Sequence, residues 1–238
     1  GVAAAPRRRR RRRRDVMRRR SSSEACDDLA VRRALTFFGR VATVGAGFGL
    51  ATNFLFVFIE ALGGGADACG AALLVECVVE VPVMYVADDV VRRFGAVRVI
   101  DAVHLLYAAR FVAYALVARA PRSWAPFYLI LAVEPLHGVT FGLFYAAGVT
   151  TARSVFPDAP TFIQGLFTAC FTAGSAGGTV LGGALVKRFG FSAAFVLFAT
   201  LFLGVQLVIA VLEGGGALVR RSSETMARRR RRRRTGAD

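Results

Sequence analysis

The chain is 238 residues long, 55% of them hydrophobic, with 20 Phe and a formal net charge of +16. A mean hydropathy of +0.50 is too high for a soluble domain, and the charge sits mainly at the ends: Arg7 to Arg14, Arg18 to Arg20 and Arg228 to Arg234 hold 18 of the 32 basic residues. These runs have no interleaved aromatics and no folded basic face, which argues against specific nucleic-acid recognition and leaves a polytopic membrane protein.

In chain order, residues 1–36 read as a basic, disordered cytoplasmic segment, within which Ala25 to Thr36 can form a short amphipathic helix on the membrane surface. Six apolar stretches follow: Phe37 to Leu62, Ala71 to Val91, Val97 to Ala118, Ala125 to Thr150, Phe162 to Val186 and Phe191 to Leu212. Crossing a hydrocarbon core of about 30 Å takes about 20 helical residues, and each stretch supplies them. Residues 37–212 thus form one six-helix transmembrane domain with short loops, and residues 213–238 form a second basic, disordered cytoplasmic tail. Positive flanks stay in the cytoplasm, and an even number of spans puts both ends there. Nothing in the pattern says which membrane. The arginine tails are expected to contact anionic lipids, at about 1 kcal/mol for each residue near the surface. Cys26, Cys69, Cys77 and Cys170 show no CxxC or metal-ligand spacing, so they read as free thiols, with no metal or cofactor expected. The sequence opens on Gly1 rather than Met, which suggests a fragment or an incomplete gene model.

The second stretch closes on Val91-Arg-Arg-Phe-Gly95 and the fifth on Val186-Lys-Arg-Phe-Gly190, 95 residues later. One reading is a pair of three-helix units; three being odd, the second unit enters the membrane inverted. The other reading is that a basic pair, an aromatic and a glycine make a generic helix stop. Gly174, Gly178 and Gly182 recur at every fourth position of the fifth stretch, and Gly45, Gly47 and Gly49 make the first similarly permissive. Both predict close helix packing. Pro82 and Pro135 free backbone carbonyls inside the second and fourth stretches and are expected to kink them.

The polar residues inside the spans carry the functional argument. Counted from the outer ends at ~1.5 Å per residue, Asn53, Glu80, Arg110 and Glu134 lie about 12 to 14 Å deep, with His137 one turn deeper. Glu76 and Glu80 share a helical face, as do Tyr107, Arg110 and Tyr114, and as do Glu134 and His137. A charge left unpaired at this depth costs roughly 2.5 to 3.5 kcal/mol, so these groups should face one another or water. Arg110 can neutralise Glu80 or Glu134, and His137 can change charge near neutral pH. The set reads either as a substrate and proton site or as a static ion pair that fixes helix register. No nucleophile with an adjacent base lies at one depth, so an enzyme is not expected.

Several segments, taken in order, resemble the C-terminal six helices of major facilitator superfamily proteins. They are Asn53-Phe-Leu-Phe-Val-Phe-Ile-Glu-Ala-Leu-Gly63, Val79-Glu-Val-Pro82, Ala109-Arg-Phe111, Glu134-Pro-Leu-His-Gly138 and Gln164-Gly165. The resemblance is to the branch holding the oligosaccharide and nucleoside proton symporters and the group called major facilitator superfamily domain-containing protein six. It implies an all-α membrane fold of six transmembrane helices in two inverted three-helix repeats, half of the full superfamily fold. It also implies alternating-access, proton-coupled transport of a small polar solute, sugar- or nucleoside-like. Glu80, Arg110, Glu134 and His137 would take the substrate- and proton-binding roles, beside Asn53, Tyr107 and Tyr114. The partner it implies is a missing N-terminal six-helix half or a second copy of the chain. Rival expectations are a non-transporting receptor or scaffold of the same fold and a half-size homodimeric transporter. Arg92 stands where the family's cytoplasmic loop motif has an acidic residue, so gating through that motif is not expected here.

Overall fold

The computed structural model describes the backbone of residues 5–155 and 158–235, and side chains over residues 30–155 and 158–212. The arginine runs at both ends lie outside the described side chains, and so does most of the two segments read as disordered tails. Regular structure among the described residues is helical: α1 (Ala5–Ala61), α2 (Ala66–Phe94), α3 (Ala96–Val117), a 3-10 turn (Arg122–Trp124), α4 (Pro126–Val133), α5 (Pro135–Val155) and α6 (Pro160–Thr235). Five helical segments are long and apolar enough to cross a membrane: Ala30–Ala61, Ala66–Phe94, Ala96–Val117, Pro126–Val155 and Pro160–Leu212.

The hydropathy pattern expects six spans, and the difference lies in the last segment. Its 53 residues would make a straight rod of about 80 Å, well over twice the thickness of a hydrocarbon core. The helix is broken at Gly190, where φ is 79° and ψ 169°. Beyond the break, residues 191–212 return along α3. Arg119 Nε donates to Ser192 Oγ at 2.8 Å near the end of α3, and Gln206 Nε2 donates to Asp101 Oδ1 at 2.8 Å near its start. Gly95, at the equivalent place in the sequence echo, has φ 87° and ψ 138° and separates α2 from α3. Both glycines hold positive φ, a conformation costly for residues with a Cβ, and so the two echoed segments end their helices in the same way.

The close packing expected of the small residues is present and reciprocal. Gly174, Gly178 and Gly182 of α6 lie on Ala42, Ala46 and Leu50 of α1, while Gly45 and Gly49 of α1 lie on Phe171, Ser175 and Thr179 of α6. A second close pair joins α5 to α2: a Cβ added at Gly138 would stand 2.6 Å from the Glu80 backbone nitrogen, and one added at Gly142 would stand 3.0 Å from Val83. In both pairs the helices run parallel. An aromatic core fills the space between α1, α3 and residues 191–212, with Phe58, Tyr107, Phe111, Tyr114, Phe195, Phe198 and Phe202 all fully buried. Tyr107 stacks on Phe202 with centroids 5.0 Å apart, and Phe58 meets Phe195 edge-on at 5.0 Å.

Pro82 is accommodated within a continuous α2, whereas Pro135 separates α4 from α5. Glu134 occupies the joint, its N–H bonded to Ile130 O at 3.0 Å and its carbonyl accepting from the His137 N–H at 2.8 Å. That three-residue spacing tightens the turn and turns the Glu134 and His137 side chains toward the same neighbour, α3.

Candidate functional site

The neighbour is Arg110. From the middle of α3 its guanidinium, 1% exposed, makes three bonds in its fixed plane. Nε donates to Tyr114 Oη at 2.9 Å, Nη1 to His137 Nδ1 at 2.7 Å and Nη2 to Glu134 Oε2 at 3.0 Å. Tyr114 Oη in turn donates to Glu134 Oε1 at 2.5 Å, so Arg110, Tyr114 and Glu134 close a ring in which both carboxylate oxygens are used. Tyr114 stands one helical turn beyond Arg110, and its ring centroid lies 5.2 Å from the guanidinium carbon.

His137 extends the network to α2. Its Nε2 meets Glu76 Oε1 in a short hydrogen-bond contact, and the imidazole is flanked by Phe48 of α1 and by Phe141, at 5.8 and 6.0 Å between centroids. Arginine has only donors, so His137 Nδ1 must be the acceptor toward Arg110; its single remaining proton sits on Nε2 and points at Glu76. The imidazole is therefore neutral in this arrangement. One guanidinium then faces two carboxylates, and the network carries one net negative charge.

The expected residues divide into two groups. Arg110, Tyr114, Glu134 and His137 meet as one buried network. Tyr107 is fully buried beside it, and its hydroxyl makes no hydrogen bond of standard geometry, with Thr140 as a polar neighbour. Glu80 is half-buried on α2, without a hydrogen bond or ion pair, one turn from Glu76. Asn53 is exposed and turned toward α6, where Nδ2 donates to Gly49 O at 2.9 Å and to Thr179 Oγ1 at 3.0 Å. The sequence reading selected Glu80 for the site, but the structure brings Glu76 to His137. The signal for Glu76 was its place on the same face as Glu80.

A second polar cluster was not anticipated. Arg40 Nη2 of α1 pairs with Asp101 Oδ1 of α3 at 2.7 Å, and Gln206 donates to the same oxygen. Arg40 and Asp101 each lie about one turn inside the start of an apolar stretch, where a charge is cheap, so little in the sequence marked the pair. His104 lies close by, buried, its Nδ1 bonded to Ile100 O at 3.0 Å. Near the C-terminal end of α2, Asp89 and Arg92 form an exposed local ion pair.

Glu76, Glu134 and His137 bring ligand-type atoms within 4.8 Å of one another. A metal ion does not fit there, because the Arg110 guanidinium bonds two of the three and its positive charge fills the space between them.

Apolar helices long enough to span a bilayer, packed through backbone contacts and closed around an ionised interior, define an integral multi-pass membrane protein. The chain belongs to the MFS_1 like family, which it matches over residues 5–197. It is similar to a maltose permease of Geobacillus stearothermophilus, 30% identical over 169 residues, a match that covers 68% of this chain and 40% of that protein. The aligned region thus spans well under half the length of this curated relative. No solved structure matches the chain at a significant level. The major facilitator resemblance read from the motifs is borne out.

Proposed function

We propose that the chain is a six-helix half of a proton-coupled transporter of a small polar solute, sugar- or nucleoside-like, working by alternating access. The observation that carries this reading is the buried network of Arg110, Glu134, His137 and Glu76, whose one excess negative charge a single proton would cancel. A static register pair needs only equal and opposite charges, and this set has one carboxylate more. Glu80 and Asn53, which the network leaves outside, supply polar groups for solute on the more open sides of α2 and α1.

Six spans in two inverted units belong to this reading, and the break at Gly190 and the packing support them. Ser175 and Thr179, on which Gly45 and Gly49 lie, stand 95 residues after Glu80 and Met84, on which Gly138 and Gly142 lie. That is the interval of the sequence echo, so the α1·α6 and α5·α2 pairs are counterparts. Both termini are then cytoplasmic, with the arginine tails against anionic lipid, and the twelve-helix assembly is completed by another six-helix half or by a second copy.

The test is uptake of radiolabelled maltose and uridine into proteoliposomes holding the full chain, alone or with the remainder of its gene product. Accumulation under an inward proton gradient, collapsed by a protonophore, is the expected result. Uptake indifferent to the gradient would remove proton coupling. Binding without uptake in either preparation would leave the receptor reading.

A further inference from the structure

The two carboxylates that bond within the network differ in what they can accept. Both oxygens of Glu134 are already engaged: one receives the Tyr114 hydroxyl and the other the charged Arg110 guanidinium, in a fully buried position, and this pairing favours the ionised form. His137 has no place for a further proton while the network holds. Its Nε2 already carries a proton, and a second one on Nδ1 would point at the Arg110 N–H group bonded there, so it would have to break that bond. Glu76 is different. One of its oxygens receives His137 Nε2–H, the other has no hydrogen-bond partner among the described residues, and the side chain is 13% exposed. It also belongs to α2, the least enclosed of the spans.

We propose that Glu76 is the group that takes up and releases the proton, while Glu134 stays ionised as the counter-charge of Arg110. This rests on the proton-coupled reading of the same site. In the step, water delivers a proton to Glu76 Oε2, Oε1 goes on accepting from His137, and no protein hydrogen bond has to break. The charge of the network passes from minus one to zero. The groups near Glu76 are His137 and Glu134 from the α4–α5 joint and Tyr107 from α3, with Arg110 reached through His137 and Glu134 and with Glu80 one turn along α2, while α1 contributes the uncharged Phe48 ring against His137. Protonation weakens the pull of Glu76 on His137, the one side-chain bond between α2 and α5 among the described residues.

Infrared difference spectroscopy of the full chain in lipid films, taken across the pH range in which it stays folded, tests this without any solute. Because the chain holds 16 Asp and Glu residues, the expected signal is the component of the carboxylic-acid C=O band, growing as pH falls, that is missing from Glu76→Gln and retained in Glu80→Gln. Gln keeps an oxygen to accept from His137, and circular dichroism checks that the variant is folded. Nitrogen NMR of His137 should report the neutral, Nε2-protonated ring throughout. A band unchanged in Glu76→Gln, a band lost in Glu80→Gln, no titrating band in the unmodified chain, or an imidazolium signal from His137 would each overturn the assignment. Proton-driven uptake with an unchanged band in Glu76→Gln refutes this inference alone. A band that behaves as expected with no uptake refutes the transport reading alone.

Discussion

Replacing Arg110 by Met should cost more than replacing its partner Glu134 by Gln, and the second change should partly rescue the first. Arg110→Met leaves two carboxylates whose oxygens lie within 4.8 Å. At an effective dielectric constant of about 20, that proximity is worth about 3.5 kcal/mol of repulsion, in line with the roughly 3–5 kcal/mol seen when one partner of a buried pair is removed. Glu134→Gln instead leaves one guanidinium and one carboxylate, Glu76, bridged by the neutral His137 ring. It loses a charge-assisted bond without creating a like-charge pair, at about 1–3 kcal/mol. The double variant has no repulsion left and should recover about 2 kcal/mol relative to Arg110→Met, a coupling expected only of residues in one network. Unfolding in mixed micelles by added denaturing detergent, followed by far-ultraviolet circular dichroism, measures all three. If the double variant were no more stable than Arg110→Met, the account of the site as a carboxylate-rich network would be wrong.

Two further outcomes follow from backbone geometry. Gly190→Ala puts a Cβ on a backbone with φ 79° and ψ 169°, a region open essentially to glycine, and should cost about 1–3 kcal/mol in the same unfolding assay. Gly178→Leu drives a side chain into the Ala46 backbone and should destabilise the α1·α6 pair by at least about 1–3 kcal/mol, whereas Gly177→Leu, with open space around it, should change stability little.

Much of this arrangement was legible because a membrane makes polarity expensive. Arg110, Glu134 and His137 had to find partners at their depth, and the joint at Pro135 delivers the last two to the first. The glycine ladder of the fifth stretch was equally readable, since bare backbone at every fourth position has few uses other than close approach. The choice between Glu76 and Glu80 was not readable. They share one face, and which of them meets His137 depends on the register of α2 against α5, which Gly138 fixes at Glu80. Asn53 turns toward Thr179 of α6 and not toward the network, because counting along a span gives no azimuth, which packing sets. Arg40, Asp101 and Gln206 were missed because they lie near span ends, where a charge is cheap enough to need no partner.

The two glycine-lined helix pairs constrain how this bundle can change shape. Where a Cα sits against a neighbour's backbone, sliding one helix lengthwise by a residue would replace hydrogen by a methyl group or larger, with nowhere for it to go. Each pair therefore behaves like a toothed rail: it resists axial travel but leaves tilt and separation open. The rail at Gly138 and Gly142 is the one that carries Glu76 past His137. Their contact can be undone by peeling α2 away or by rolling it about its axis, and a piston stroke is the one movement the packing forbids.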